Sequence, residues 1–142
     1  MTDATTVIGV SAVAIDGRAV LIEGPPGIGK SSLALALIDR GAVLIGDDGV
    51  NLASGADQVR VSPPPNIGGK LEIRGVGIVE METATAPLAL IFVLEPDAPR
   101  LPEALEHRGI FDCSIPVLPF RVGDANPAIR AEWALRTHGI SF

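Results

Sequence analysis

Residues 24–31 read Gly-Pro-Pro-Gly-Ile-Gly-Lys-Ser, and this octapeptide constrains the fold more than any other part of the chain. A glycine, four residues and then Gly-Lys-Ser is the spacing of a phosphate-binding P-loop, whose glycines let successive backbone N–H groups turn toward phosphate oxygens. The lysine brings a positive charge to the outer phosphates, and the serine hydroxyl can ligate magnesium. We predict nucleotide contacts from the loop and the serine after it: Gly24, Pro25, Pro26, Gly27, Ile28, Gly29, Lys30, Ser31 and Ser32.

The residues on either side of this loop agree with that interpretation. The apolar run 19–22 predicts a buried strand, and the Leu- and Ala-rich segment 31–40 predicts a helix that ends at Gly41. A strand, a loop and a helix in this order bring the helix N-terminus up to an anion. A glycine-rich turn that only joined two elements would not need Lys-Ser at this place.

Composition limits the class of protein. The chain has 142 residues, of which 47% are hydrophobic and 20% charged, so we expect one packed domain over residues 1–142. The net charge of −6 disfavours a nucleic-acid surface. Cys113 is the only cysteine, so we expect a buried thiol and a reducing compartment. The N-terminus is polar and the apolar runs are too short to cross a bilayer, so we expect a cytoplasmic protein without a membrane partner.

The pair Asp16-Gly17 decides between two kinds of P-loop sheet. It separates the apolar-rich runs 10–15 and 18–23, and Asp-Gly is a strong signal for a two-residue hairpin turn. The strand that enters the P-loop then pairs antiparallel with the strand before it. Many small P-loop GTPases and nucleoside kinases begin instead with the P-loop strand in a parallel sheet. We therefore predict an α/β fold with the P-loop on a mixed β-sheet.

The rest of the chain gives weaker signals for its elements. Pro119 suggests that its strand lies at an edge, because proline cannot donate to a ladder. Asn126 followed by Pro127 predicts the start of the last helix, which should end at Gly139. The full set of further predicted elements is strands 42–45, 58–62, 88–94 and 117–122, a loop over 62–69, a short helix over 102–107 and a helix from 127 to about 138.

Two groups of charged residues complement the P-loop. Asp47 and Asp48 follow the predicted strand 42–45, where phosphoryl transfer would use carboxylates to hold magnesium and to take a proton. A polar turn would explain the same Asp-Asp-Gly sequence. Glu72 and Arg74 would share one face of an extended segment and suit a metal-and-phosphate site. A surface salt bridge is the alternative for this pair.

These three pieces together resemble the C-terminal catalytic domain of HPr kinase/phosphorylase, a bacterial family that uses ATP and magnesium to phosphorylate a serine of the phosphocarrier protein HPr. The matching features are the P-loop, the Asp47-Asp48 pair after the next strand, and residues 71–78, which read Leu-Glu-Ile-Arg-Gly-Val-Gly-Ile. The resemblance runs from about residue 7 to 122 and is to the short alphaproteobacterial form without the N-terminal domain. It implies a fold similar to phosphoenolpyruvate carboxykinase.

The resemblance also implies roles for residues and partners. Lys30 would grip the phosphates, Ser31 and Glu72 would hold Mg²⁺, and Asp48, in preference to Asp47, would be the general base. Arg74 would orient phosphate, and Arg100 falls near another functional arginine of the family. The implied partner is an HPr-like phosphocarrier protein of the sugar phosphotransferase system, and a homo-oligomer, a hexamer in the family, is implied as well.

Two departures from the family pattern separate the competing functions. Gly9 stands where the family usually has a histidine, and Asp124 follows Arg121-Val122-Gly123 where a late loop tied to dephosphorylation continues with Arg-Asn. We expect a kinase whose phosphorylase activity is in doubt. A catalytically weak ATP-binding regulator is the alternative that Gly9 suggests, and a nucleoside or metabolite kinase is disfavoured by the hairpin and by the lack of an arginine-rich lid.

The remaining residues with possible chemistry have simpler explanations. His107 would end the short helix and His138 the last helix, and both positions suit a solvated helix C-terminus. Trp133 is expected in the core rather than as a stacking platform for a base.

Overall fold

A computed structural model describes residues 3–65 and 68–142 as a mixed β-sheet with two helices. In chain order its elements are β1 (Ala4–Ile8), β2 (Ser11–Ile15), β3 (Arg18–Glu23), α1 (Lys30–Asp39), β4 (Val43–Gly46), β5 (Gly49–Gly55), β6 (Gln58–Ser62), β7 (Lys70–Ile73), β8 (Gly77–Glu80), β9 (Ala86–Leu94), β10 (Glu106–Ile110), β11 (Cys113–Phe120) and α2 (Pro127–His138). Among the described residues, no helix is long and apolar enough to cross a membrane.

Strand β9 is the centre of the nine-stranded sheet. It pairs parallel with β3 along one edge, and its other edge pairs first with β6 and then, from Ile91 to Leu94, with β11. The order is β1-β5-β6-β9-β3-β2-β4, with β11 and β10 branching from β9, so the sheet curls. Strands β7 and β8 form a separate hairpin. Parallel β3, β9 and β11 end on the same side, where the P-loop begins.

The hairpin of β2 and β3 is apolar over residues 12–15 and 19–22, because both of its faces are covered there. On one face Val13 and Ile22 belong to a core cluster that includes Leu33 and Leu37 of α1. On the other face Ala12 and Leu21 pack in a second cluster with residues of β5 and β6, such as Leu52 and Val61. A strand buried on both faces shows a continuous apolar run rather than alternation, which is the pattern in this part of the sequence.

Most predicted elements are confirmed, beginning with the hairpin that favours a mixed sheet. Asp16 and Gly17 have φ of 50° and 81° and join antiparallel β2 and β3, as a primed two-residue turn requires. Gly41 follows α1 with φ 110°, the usual geometry after a helix end. The predicted strands 42–45, 58–62 and 88–94 correspond to β4, β6 and β9, and the last helix corresponds to α2.

The prediction of a short helix over residues 102–107 is wrong. Residues 101–105 are irregular, and Glu106 begins β10, which pairs with β11 across a two-residue turn at Phe111 and Asp112. Both turn residues have positive φ. Pairing with a neighbouring strand overrides the weak helical preference of this short segment. His107 consequently lies exposed on a strand, not at a helix C-terminus as predicted, whereas His138 ends α2.

The predicted edge strand 117–122 is correct only in part. β11 covers Cys113–Phe120 and therefore begins four residues earlier than predicted. Residues 113–117 pair with β10 and residues 117–120 pair with β9, so within β11 only Val117 pairs with both strands. From Leu118 onward β11 pairs with β9 alone, so Pro119 lies where no hydrogen bond to β10 is needed.

Two residues that were predicted to be buried are not. The N-cap of α2 lies where it was predicted but lacks a side-chain hydrogen bond. Trp133 is 59% exposed, with the guanidinium of Arg136 4.8 Å from its ring centroid. Cys113 is only half-buried. Asn126 is the N-cap residue of α2, but its side chain makes no capping hydrogen bond.

The predicted loop 62–69 connects β6 and β7. Residues 63–65, 68 and 69 lie outside helices and strands, while Ser62 still belongs to β6. Asn66 and Ile67 are outside the described residues, so that part of the prediction stays a prediction.

Candidate functional site

The P-loop borders a cavity of about 970 Å³ at the carboxyl end of β3. Gly27 and Gly29 have φ of 80° and 118°, conformations that disfavour any side chain. A Cβ at Gly24 would lie 2.8 Å from the side chain of Ile28, so this glycine is required by close packing. The residues lining the cavity are Gly9, Ser11, Gly24, Pro26, Gly27, Gly29, Lys30, Ser31, Ser32, Leu35, Asp47, Asp48, Glu72, Ile73, Arg74, Gly75, Val76 and Gly77.

Lys30 begins α1 and folds its ammonium back over the loop. Its Nζ donates to the carbonyl oxygens of Gly24 at 2.6 Å and Pro25 at 3.1 Å. These neutral carbonyl acceptors hold the Lys30 ammonium inside the cavity. A phosphate oxygen would make a stronger, charge-assisted hydrogen bond with the same group.

Ser31 and Asp47 form the most specific contact in the cavity. The Ser31 hydroxyl donates to Asp47 Oδ1 at 2.7 Å, and the Ser11 hydroxyl donates to the same oxygen at 2.8 Å. Because the Ser31 hydroxyl acts as the hydrogen-bond donor to Asp47, both lone pairs of the Ser31 oxygen stay available to a cation. The contact joins the first turn of α1 to the residue that follows β4.

The two aspartates occupy a tight turn between β4 and β5. A Cβ at Gly46 would overlap the carbonyl oxygen of Gly49, so the turn closes only with glycine there. Asp48 has φ of 64°, whereas Asp47 does not lie in the left-handed region. Asp47 is half-buried beside Ser31 and Asp48 is exposed, yet both line the cavity.

The β7–β8 hairpin forms another side of the cavity. Leu71 is fully buried and anchors the hairpin, while Glu72 and Arg74 are exposed and line the cavity. Arg74 lies in the turn that follows β7, so the two side chains do not share a strand face as predicted. Within the described part of the chain they form no ion pair with each other.

Oxygen donors suitable for magnesium come together in this cavity. Ser31, Asp47 and Glu72 all border it, and Mg²⁺ binds oxygen ligands while retaining several waters. Over the described ranges no three His, Cys, Asp or Glu side chains gather as a ready-made metal cage. A cation held by few side chains together with substrate phosphates fits this arrangement.

The cavity carries slightly more negative than positive charge. Asp47, Asp48 and Glu72 oppose Lys30 and Arg74, so the formal sum is two minus three, or −1. The charged side chains alone therefore do not attract a polyphosphate, and a divalent cation would neutralise part of its charge.

Some predicted site residues are not among those that line the cavity. Pro25 and Ile28 belong to the loop but do not line it. Arg100 is exposed in the segment between β9 and β10, outside the cavity, and its role stays a prediction.

Sequence reasoning missed Ser11, which is 1% exposed and is the one buried polar residue among those described. It lies inside an apolar run, where a single serine carries no signal of a site.

The first 86 residues match the family model described as HPr Serine kinase C-terminal domain. The chain belongs to this family. A solved structure of the HPr(Ser) kinase/phosphatase from Coxiella burnetii superposes with a TM-score of 0.81 at 30% identity and covers 94% of this chain and 90% of that one. This likeness confirms the predicted mixed α/β fold for this member of the HPr serine kinase family.

Curated relatives of this family member are longer proteins. An HPr kinase/phosphorylase from Lacticaseibacillus casei is 36% identical over 78% of this chain and 40% of its own length. One from an Exiguobacterium strain is 47% identical over 50% of this chain and 23% of its own length. The chain therefore spans less than half of these relatives.

Proposed function

We propose that this chain is an ATP- and magnesium-dependent protein-serine kinase whose acceptor is an HPr-like phosphocarrier protein. Residues 1–142 would act as one catalytic domain, in the cytoplasm, within the regulation of sugar uptake by phosphotransfer. Family membership supports the class of reaction. The observation that carries the proposal is the meeting of Lys30, Ser31, Asp47 and Asp48 at one cavity, with Ser31 bonded to Asp47.

The P-loop is proposed to hold the triphosphate. Its backbone N–H groups and the N-terminus of α1 would bind phosphate oxygens, and Lys30 would turn from the carbonyls of Gly24 and Pro25 to the outer phosphates. Magnesium, when bound, would neutralise charge on the phosphates, and Ser31 and Glu72 would hold it, with Asp47 fixing the Ser31 hydroxyl. Arg74 would orient the transferred phosphoryl group.

Asp48 is proposed as the general base. It would take the proton of the acceptor serine as that oxygen bonds to the γ-phosphorus and the bond from phosphorus to the bridging oxygen breaks, which releases ADP. Asp47 is already engaged with two hydroxyls, whereas Asp48 is exposed and free of side-chain hydrogen bonds within the described part of the chain. An exposed carboxylate is accessible to a hydroxyl presented by a second protein.

The reverse, phosphorylase, direction is proposed to be weak. Arg121 follows β11 at the same side of the sheet as the P-loop, and its guanidinium pairs with Asp124 at 3.4 Å. The Asp124 carboxylate thereby offsets the positive charge of Arg121, which would otherwise attract the phosphate of a phosphoserine. Transfer from ATP does not depend on this arginine in the proposed scheme.

A catalytically weak ATP-binding regulator is the second candidate, and Gly9 favours it. Gly9 lines the cavity near Asp48 and brings no side chain that could move a proton. The kinase would transfer the γ-phosphoryl group of ATP to a protein, whereas the regulator would bind ATP without transfer.

Replacing Asp48 by asparagine tests the proposal. With labelled ATP, Mg²⁺ and the cognate HPr-like protein, D48N should lower transfer about 10²- to 10⁴-fold and leave ATP binding intact. D57N is a matched control, because Asp57 is also exposed in a strand-connecting turn and has φ of 61° against 64° for Asp48. D57N should transfer as the unsubstituted chain does.

Each other outcome selects a different function. Equal transfer by D48N and D57N would remove Asp48 as the base. ATP binding without transfer in the unsubstituted chain would favour the regulator. Transfer to a nucleoside instead of a protein would overturn both candidates.

A further inference from the structure

We propose that Ser11 is a positioning residue that keeps the Asp47 carboxylate directed at Ser31 and so supports magnesium-linked nucleotide binding. The inference rests on the proposed function, since it assigns a role within the same cavity. Its basis is the convergence of two hydroxyls on one oxygen: Ser11 at 2.8 Å and Ser31 at 2.7 Å from Asp47 Oδ1.

The sheet places Ser11 beside Asp47 through an irregularity in the pairing of β2 and β4. Val13 is opposite Leu44, but Ala12 is opposite Gly46, so one residue of β4 is extra at this point. A bulge of this kind re-aims the side chains that follow it. The shift brings Asp47, the next residue after β4, level with Ser11, the first residue of β2.

Packing alone does not account for a hydroxyl at this position. Ser11 is 1% exposed, and its neighbours Val10 and Ala12 are buried apolar residues. A buried hydroxyl without a partner is destabilising, so the hydrogen bond from Ser11 to the Asp47 carboxylate is what makes serine acceptable there. The acceptor is a half-buried carboxylate that also faces the P-loop serine.

The contact has a chemical consequence for Ser31. Asp47 accepts a hydrogen bond from the Ser31 hydroxyl, which leaves the lone pairs of the Ser31 oxygen free for a cation. If Ser11 did not also hold Oδ1, the carboxylate could rotate toward solvent on the open side of the cavity. Groups that orient a metal ligand typically contribute 10- to 100-fold to metal affinity or activity.

The pair S11T and S11V tests the role of the hydroxyl. Threonine and valine have nearly the same shape and both suit a strand, so they differ chiefly in the hydroxyl. Nucleotide affinity is measured for each with Mg²⁺ and with EDTA, using a fluorescent ATP analogue. We expect S11T to retain the Mg²⁺-dependent gain in affinity and S11V to lose roughly 10-fold of it, while affinity in EDTA is the same for both.

S54A controls for the loss of a strand hydroxyl elsewhere. Ser54 is half-buried on β5, and its oxygen accepts one hydrogen bond from the Asp3 N–H, away from the cavity. S54A should keep the full Mg²⁺ dependence. Thermal unfolding of each variant identifies any that fails to fold, and S11A then replaces S11V as the variant without a hydroxyl.

The outcomes separate this inference from the proposed function. Equal Mg²⁺ dependence in S11T and S11V, or none in the unsubstituted chain, overturns the role of Ser11. Mg²⁺-dependent ATP binding that S11V loses, without any transfer to an HPr-like protein, overturns the kinase proposal and supports Ser11 as the positioning residue.

Discussion

The backbone N–H of Gly9 donates to the carbonyl oxygen of Asp48 at 3.0 Å, which ties the β1–β2 connection to the aspartate turn. Gly9 has φ of 75°, and a Cβ built there meets no atom within 4 Å. We expect both G9A and G9H to lower the free energy of unfolding by about 1 kcal/mol, because a side chain is strained at this φ but not crowded. Urea unfolding measures the change.

The same two variants test whether an imidazole can act at this place in the cavity. G9A carries the backbone strain alone and is therefore the control for G9H. We expect G9H to transfer phosphate faster than G9A near neutral pH, since a histidine can accept or donate a proton there. Equal rates of transfer would contradict a role for a proton-transfer group at this position.

Gly46 allows the aspartate turn to close. A Cβ at this position would overlap the carbonyl oxygen of Gly49, and the backbone cannot yield as a side-chain end could. We expect G46A to cost about 1–3 kcal/mol of stability and to lower transfer as the turn shifts. G55A is the control, because a Cβ at Gly55 meets nothing within 4 Å and should change stability by less than about 0.5 kcal/mol. Similar losses in both variants would contradict the steric account.

Arg130 of α2 holds the loop that follows β11. It donates to the carbonyl oxygens of Arg121 at 2.5 Å and Ala125 at 3.0 Å, and its guanidinium lies 4.6 Å from the ring centroid of Phe120. We expect R130K to lower stability by about 1–2 kcal/mol, since lysine lacks the planar fork. Amide hydrogen exchange in residues 121–125 should quicken.

The control for this change is R136K. Arg136 also lies over an aromatic ring, that of Trp133 at 4.8 Å, but no hydrogen bond from Arg136 is found in the described part of the chain. R136K should leave exchange in residues 121–125 unchanged. Faster exchange in both variants would indicate a general effect on α2 rather than a clamp on the loop.

Glu23, the last residue of β3 before the P-loop, pairs with Arg108 of β10 at 2.5 Å. The hydrogen bond from Arg108 to Glu23 and the charge of Glu23 raise the pKa of Arg108 above its ordinary value, against a smaller opposing effect of burial. A raised pKa adds stability that is fully present below the unfolded value and is lost only as pH rises through the folded value. From this arginine we therefore expect no change in stability between pH 6 and 9.

R108M tests how much the ion pair between Glu23 and Arg108 contributes to the free energy of unfolding. The Arg108 side chain is 42% exposed, so screening by solvent limits its contribution, and we expect a loss of less than about 1 kcal/mol. Denaturant unfolding at pH 6 and pH 9 should give the same difference between R108M and the unsubstituted chain. A difference that grew strongly across this range would show that another titrating group depends on Arg108.

Local signals in the sequence were sufficient where short-range chemistry decides structure. Asp16-Gly17 predicted the hairpin because few residue pairs adopt two positive φ values in succession. The P-loop spacing predicted α1, since the motif itself specifies a helix N-terminus. Trp133 and the segment 102–107 were predicted wrongly, because exposure and strand pairing there depend on distant residues.

The mixed sheet, the P-loop and the set of charged residues could be predicted from the sequence, because turn chemistry and motif spacing act over a few residues. The orientation of Asp47 toward Ser31, and the hydrogen bond of Ser11 to the same carboxylate oxygen, became known from the three-dimensional structure. That orientation depends on the irregular pairing of β2 with β4, and strand register is fixed by contacts between segments about 30 residues apart. No local pattern in the chain encodes which of two adjacent aspartates turns inward.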